Sequence, residues 1–280
     1  MVVIVLAVTA AVIYGVSDFF GGLAARRLTT LRSTLIAYAC ASGVIVVAWP
    51  FAGGAITPGA AVAGSVAGMF AIAGFLAFYA ALAIGPISVL SPLIAVLSSL
   101  VPVVVALIAG ESLSALAAVA IGLAVLAAAL ISAQHRDSVT RVSIRSLVLA
   151  AGAGVGLGLS VAALDFAPAG SGLVPAVFEI VIGLLIVGGL VAVVRPRRPT
   201  GPLGRAHGAA VVGGVLLGVS NALIVLALAA GELAIVSVLV GLYPVSTVIL
   251  AAAVLRERMS PPQVVGVAVA VAASVLLALS

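Results

Sequence analysis

The sequence is poor in charge. Only 7% of its 280 residues are charged, and lysine is absent. Ordinary soluble domains carry roughly 25% charged residues. Hydrophobic residues make up 65% of the chain, and no soluble fold of this length has an interior large enough to bury them. The composition therefore excludes a soluble domain and indicates a membrane protein.

Cysteine and histidine are also scarce. The single Cys40 lies inside an apolar run, which excludes a disulfide framework. The only histidines, His135 and His207, lie in arginine-rich segments and lack the spacing of metal ligands. The sequence contains neither Gly-x-Ser-x-Gly nor His-Glu-x-x-His. We therefore expect no metal site, no cofactor and no enzyme, and an intramembrane enzyme is the less favoured alternative.

Apolar segments fill most of the chain. Ten of them follow one another, each of about 17–25 residues, the length at which a helix crosses a bilayer. They are 2–22, 33–51, 60–84, 87–109, 115–133, 146–166, 172–194, 209–230, 233–254 and 261–279. The pattern predicts an all-α membrane protein with ten transmembrane helices, and Pro92, Pro102 and Pro244 are positioned to bend the fourth and ninth.

One stretch of this pattern occurs twice. Residues 229–277 repeat 83–131 at a constant offset of 146, so that Gly231 matches Gly85, Ser237 matches Ser91 and Glu257 matches Glu111. Matching segments in two halves are typical of secondary transporters. The repeat predicts two units, 1–133 and 146–280, joined by 134–145. Five helices is an odd number, so the second unit enters the membrane from the opposite side.

The turns of this repeat resemble those of the EamA group of the drug/metabolite transporter superfamily. The similar motifs are Ala-Ile-Gly-Pro at 83–86, Gly-Glu-Ser-Leu-Ser at 110–114, Leu-Tyr-Pro-Val at 242–245 and Leu-Arg-Glu-Arg-Met-Ser at 255–260. The resemblance covers essentially the whole chain. It implies a ten-helix carrier of small metabolites or drugs, usually an exporter. For Glu111 and Glu257, which lie at helix ends, a structural role in the turn is favoured over substrate contact.

All 12 arginines lie in the segments that follow the first, fifth, seventh and ninth spans. The other connections carry only Glu111, Asp165 and Glu232. Because arginine-rich short loops stay in the cytoplasm, both termini are predicted to lie outside the cell, whereas many members of the family are drawn with both inside. Arginine in short loops does not indicate nucleic acid. The absence of lysine, with abundant Ala, Gly and Val, indicates a high-GC bacterium and hence its inner membrane.

Two acids lie within the spans, Asp18 in the first and Glu179 in the seventh. An ionisable residue there costs on the order of 2.5–3.5 kcal/mol by insertion scales, so a functional role is the default hypothesis. Asp18 is close to Arg26 in the sequence, and an interfacial ion pair and a cavity role are both open. Glu179 has no base nearby, so a cavity role is favoured over packing. Burial favours the neutral form of a carboxyl group, which would allow coupling to protons.

Weaker candidates surround these acids. Tyr14 lies one helical turn before Asp18 on the same face, and the embedded amide of Asn221 needs hydrogen-bond partners. In the EamA family the first, third, fourth, sixth, eighth and ninth helices line the cavity. The resemblance therefore places near it Tyr14, Asp18, Tyr79, Ser91, Asn221 and Tyr243. For each tyrosine, simple packing is the alternative.

The sequence thus predicts a secondary transporter, by resemblance an exporter, of small metabolites, amino acids or drug-like compounds, working by alternating access. Its expected partners are the lipid bilayer, a small-molecule substrate and, if it is coupled, protons. Gly-x-x-x-Gly patterns in the third, sixth and eighth spans indicate close helix packing, with a homodimer seam as the minority interpretation. A non-transporting membrane subunit is the remaining alternative.

Overall fold

The computed structural model describes residues 1–25, 28–84, 87–132, 143–196, 204–255 and 260–279. These residues form helices and turns, and no strand occurs among them. The helices are α1 (Val2–Ala25), α2 (Thr30–Ala52), α3 (Pro58–Ile84), α4 (Ile87–Ile108), α5 (Ala115–Ser132), α6 (Ile144–Asp165), α7 (Val174–Val194), α8 (Gly204–Leu228), α9 (Leu233–Val240), α10 (Pro244–Leu255) and α11 (Pro261–Leu279).

Each predicted span corresponds to one helix except the span 233–254, which is divided into α9 and α10. Residues 241–243 form the turn between them, in which the N–H of Gly241 donates to the carbonyl of Ser237 at 2.9 Å. Pro244 lacks an N–H and therefore suits the first position of a new helix. The bend expected in this span is thus a complete break, whereas α4 runs from Ile87 to Ile108 without interruption.

Among the described residues, six helices are long and apolar enough to cross a membrane. These six segments are Val2–Gly21, Leu31–Ala52, Pro58–Phe78, Ile144–Asp165, Val174–Val194 and Gly204–Leu228. Four shorter apolar helical segments occupy the positions of the other predicted spans: Val96–Ile108, Ala115–Ala127, Leu233–Thr247 and Pro261–Ala273.

Helices of the first half of the chain pack against helices of the second half. The most extensive pairings are α1 with α8, α3 with α6, and α5 with α11, while α2 packs on α7 and α8. Glycine makes these approaches close, because lipid offers no hydrophobic drive and small residues let backbones meet. A Cβ at Gly68 of α3 would lie 2.5 Å from the carbonyl oxygen of Glu179, and one at Gly214 of α8 would lie 2.6 Å from that of Ala37.

The connections gather at two ends of the bundle. At one end, Nη2 of Arg32 donates to the carbonyl of Pro196 at 2.9 Å, which joins the start of α2 to the segment after α7. At the other end, the N–H of Ala55 donates to the carbonyl of Gly170 at 3.2 Å, which joins the connections after α2 and α6. We call these the arginine-bearing end and the opposite end.

Side chains cap the starts of α5 and α11. Oγ of Ser114 accepts from the N–H of Ala117 at 3.0 Å and so caps α5. At the start of α11, Oε1 of Gln263 accepts from the N–H of Ser260 at 2.9 Å. Oγ of Ser260 has no partner among the described residues, so only one of the two bonds of a capping box is present. These bonds satisfy backbone donors that a helix start leaves free.

Candidate functional site

A cavity of about 90 Å³ lies between helices from both halves of the chain. Its lining comes from α1 to α4 and α6 to α9, together with the turn 241–243. This includes all six helices that the family resemblance implies, and adds α2 and α7. We call it the central cavity. It is smaller than the engineered cavity of about 150 Å³ that accepts benzene, so this conformation holds only a small group or a few waters.

Glu179 of α7 is the acid of the central cavity, and its side chain is only 5% exposed. Each carboxylate oxygen accepts one hydrogen bond: Oε2 from Nδ2 of Asn221 at 2.8 Å, and Oε1 from Oγ of Ser160 at 3.1 Å. These bonds tie α7 to α8 and α6. None of the described residues that line the cavity is basic. The carboxyl group is therefore hydrogen-bonded but has no cationic partner there.

Asn221 satisfies only part of its hydrogen-bonding capacity. Its Nδ2 donates to Glu179, but its buried Oδ1 has no partner among the described residues. A buried acceptor left unpaired costs about 1–3 kcal/mol. The amide is thus held against the carboxyl group in spite of this cost, as expected of a residue that positions Glu179.

Aromatic side chains form two walls of the central cavity. The rings of Tyr14 and Tyr243 lie with their centroids 5.0 Å apart at 60°, which joins α1 to the broken helix. Tyr38 of α2 and Phe75 of α3 meet edge to face, with centroids 6.3 Å apart at 88°. These are favourable geometries for aromatic pairs. The pocket therefore combines one acid and a few polar groups with flat apolar surfaces, the usual character of a small-molecule site.

A second cavity, of about 50 Å³, lies beside the first and contains Asp18. We call it the Asp18 cavity. Hydroxyl residues Ser17, Ser33 and Thr34 also line it, and Oγ of Ser17 donates to the carbonyl of Gly213 at 2.8 Å. Arg26, the expected ion-pair partner of Asp18, lies outside the described residues. The structure places Asp18 in a cavity with hydroxyl groups, next to the central cavity that Tyr14 lines.

A third cavity, of about 270 Å³, lies at the opposite end of the bundle. It is formed by the end of α6, the connection to α7 and the end of α8, and Asp165 and Ser171 contribute polar groups. We call it the Asp165 cavity. Each of the three cavities thus carries one acid.

Comparison with known proteins identifies the second half of the chain. Residues 144–279 match the EamA-like transporter family. Together with the long apolar helices, this match supports a multi-pass membrane transporter of the drug/metabolite type. The matched segment includes α6 to α11 and therefore contains Glu179 and Asn221.

A solved structure extends the likeness to the whole chain. A protein of known crystal structure aligns with 98% of this chain and 96% of its own, with a TM-score of 0.78 and 14% sequence identity. At this identity the likeness shows a shared fold and nothing about the substrate. No curated protein matches the sequence.

Four of the residues predicted for the EamA-like site meet in the central cavity: Tyr14, Glu179, Asn221 and Tyr243. Asp18 lies in the neighbouring cavity. Tyr79 lies in α3 and Ser91 in α4, but their side chains are outside what the structure describes. Gly85 and Glu257 lie outside the described residues altogether. Gly231 occupies the turn before α9, where an added Cβ would lie 2.7 Å from a methyl group of Val3.

The sequence predictions missed two important residues of the central cavity. Ser160 binds Glu179, and its signal was the repeat, because the offset of 146 places it on Tyr14. Tyr38 had no such signal, since the same offset places it on Leu184. Its position beside Phe75 depends on how α2 and α3 each pack against α7, which the sequence pattern does not specify.

Proposed function

We propose that the protein is a secondary carrier that exports small metabolites, amino acids or drug-like compounds by alternating access. Ten spans would form two inverted units, 1–133 and 146–280, with the substrate site between them. The carrier would lie in a bacterial inner membrane with its arginine-bearing end in the cytoplasm and both termini outside. Arginine-rich loops favour this orientation.

The helix pairing supports the inverted repeat. The offset of 146 relates α1 to α6 and α3 to α8. Under that exchange, the α1–α8 contact becomes the α6–α3 contact, and both are among the most extensive in the bundle. The α2–α8 contact likewise becomes α7–α3, which is also present. A pseudo-two-fold axis in the membrane plane accounts for these pairs, and binding at the interface of such repeats is typical of carriers.

Glu179 in the central cavity is the observation that carries the proposal. It is buried, held by one donor from each of two helices, and surrounded by side chains from both halves of the chain. Proton coupling follows as the finer proposal, because a carboxyl group that meets water only in an open state can load and release a proton there. Substrate would compete with the proton for this site.

A flux assay tests the carrier function. Purified protein in liposomes is expected to take up a labelled amino-acid mixture, or ethidium as the drug-like probe, above protein-free liposomes. The Ala71→Leu variant adds bulk in the central cavity and should remove this flux. Ala73→Leu makes the same change on the exposed face of the same helix and should retain it. No flux of either probe with folded wild type, or equal flux in both variants, contradicts the proposal.

A further inference from the structure

The three cavities follow one another between the two ends of the bundle. The Asp18 cavity is lined from the end of α1 and the starts of α2 and α8, near the arginine-bearing end. The Asp165 cavity is formed at the other end of α6 and α8. The central cavity shares lining residues with each of them. Cavity space with an acid in each part therefore extends along the bundle and is interrupted at two places.

The first interruption separates the central cavity from the Asp18 cavity. Tyr38, Phe75 and Leu217 line both cavities, so these three side chains stand between them. Tyr38 is only 3% exposed, and its ring packs edge to face on Phe75. A Cβ at Gly183 of α7 would lie 2.9 Å from Cδ1 of Tyr38, so the absence of a side chain at Gly183 provides the seat for the ring.

The second interruption separates the central cavity from the Asp165 cavity. Leu164 is the one residue that lines both the central cavity and the Asp165 cavity among the described residues. The offset of 146 relates Leu164 to Asp18. The lining shared with the Asp165 cavity is therefore one aliphatic side chain, Leu164. The lining shared with the Asp18 cavity is two aromatic rings and a leucine.

We infer that the three cavities are one transport path and that Tyr38 and Phe75 are its gate toward the arginine-bearing end. The inference rests on the proposed carrier function and extends it to Asp18. When the gate opens, the Asp18 cavity joins the central cavity. Its carboxyl and hydroxyl groups suit water molecules, which need several polar partners. Asp18 then lies on the path by which water and protons pass between Glu179 and that end.

The test measures access of water-soluble reagents to the central cavity, and it does not require a known substrate. Cys40→Ala removes the single native cysteine, and Val161→Cys places a thiol in the central cavity. A small charged methanethiosulfonate is applied separately from each side, using vesicles sorted by orientation. Labelling after unfolding in detergent verifies that the thiol is present, and the elution volume from size-exclusion chromatography verifies that each variant is folded.

Removing either ring should open the path on one side. Tyr38→Ala and Phe75→Ala should each speed labelling from the arginine-bearing side at least about tenfold, which corresponds to about 1.4 kcal/mol less free energy of opening. Tyr38→Phe keeps the ring and should leave the rate near wild type. Phe51→Ala removes an aromatic ring from the same helix at a position that is 89% exposed, and it serves as the matched control. Where Tyr38→Ala does not fold, Tyr38→Leu replaces it.

An unchanged labelling rate in both ring variants, or faster labelling from the opposite side alone, overturns the gate. Flux by the wild type together with such a result leaves the carrier function in place and rejects only the inference. Faster labelling in a protein that shows no flux supports the path and contradicts the carrier function. The two proposals are therefore separated by the same set of variants.

Discussion

Glu111 of one half of the chain caps a helix of the other half. Its Oε1 accepts a hydrogen bond from the backbone N–H of Leu233 at 2.9 Å, and its Oε2 accepts one from Ala234 at 3.2 Å. A carboxylate at a helix N-terminus satisfies free N–H groups and interacts favourably with the helix dipole. The capped helix is α9, which contributes Ser237 and Val240 to the central cavity. Glu111 thus stabilises one wall of the site from outside it.

Removing this cap should destabilise the protein. We expect Glu111→Ala to lower the free energy of unfolding by about 0.5–2 kcal/mol, the usual effect of losing an N-cap. Glu111→Gln keeps one acceptor oxygen and should lose less. Thermal unfolding in detergent measures both. Glu232→Ala is the control, because Glu232 occupies the N-cap position of α9 and its side chain makes no capping bond. Equal unfolding temperatures for Glu111→Ala and wild type would contradict the cap.

Substitution by alanine should change the free energy of unfolding differently at two glycines of α7. At Gly183 an added methyl group meets the ring of Tyr38, so Gly183→Ala should destabilise by about 1–3 kcal/mol, as overpacking does. At Gly189 nothing lies within 4 Å of the added Cβ. Gly189→Ala should therefore be neutral, or stabilise by about 0.5–1 kcal/mol through reduced chain entropy. A greater loss for Gly189→Ala than for Gly183→Ala would contradict the seat proposed for Tyr38.

Much of this architecture could be predicted from the sequence because lipid simplifies the pattern. Each span must satisfy its backbone internally and be apolar along its length, so span positions follow from hydropathy. The bonds of Ser114 and Gln263 at helix starts are of the kind that local residue types indicate. The break at Gly241 was expected only as a bend, since Leu242 and Tyr243 keep the run apolar through the turn.

The composition of the site was harder to predict than the spans. Glu179 was identifiable because an acidic residue within a membrane span costs free energy whichever way its side chain points. Its partner Ser160 was not, because serine is tolerated in membrane helices and only the repeat marked it. The contact between Tyr38 and Phe75 depends on the packing of two helices against α7, in particular on the empty position at Gly183. Such juxtapositions arise from tertiary structure and leave no trace in hydropathy.

A C-terminal fusion tests the orientation. If the arginine-bearing loops are cytoplasmic and ten spans cross the membrane, as proposed, both termini lie outside. Alkaline phosphatase fused after Ser280 should therefore be active, and green fluorescent protein at the same position should be dark. The same two reporters inserted in the arginine-rich connection 134–145 should give the opposite results, with inactive alkaline phosphatase and fluorescent green fluorescent protein. Bright fluorescence from the C-terminal fusion would contradict the orientation but not the fold.

The two membrane acids should differ in their effect on proton coupling. Glu179→Gln keeps the shape of the side chain and removes its titratable carboxyl group, so the protein should fold while the pH dependence of flux, or flux itself, is lost. Asp18→Asn should slow flux driven by a pH gradient if Asp18 lies on the path, and should have no such effect if it only pairs with Arg26. Glu232→Gln, an exposed acid between α8 and α9, is the control and should behave as wild type.

The measurement is uptake of the labelled amino-acid mixture, or of ethidium, into proteoliposomes with an imposed pH gradient. A dye trapped inside the vesicles reports proton movement at the same time. In the wild type, addition of a transported compound should dissipate the gradient if protons and substrate exchange at Glu179, as proposed. In Glu179→Gln this coupled signal should vanish even if some flux remains, since the side chains that hydrogen-bond Glu179, Ser160 and Asn221, are a hydroxyl and an amide and cannot replace the carboxyl group. Wild-type pH dependence in both acid variants would remove Glu179 and Asp18 from the coupling mechanism and leave a facilitator or a carrier coupled to another ion.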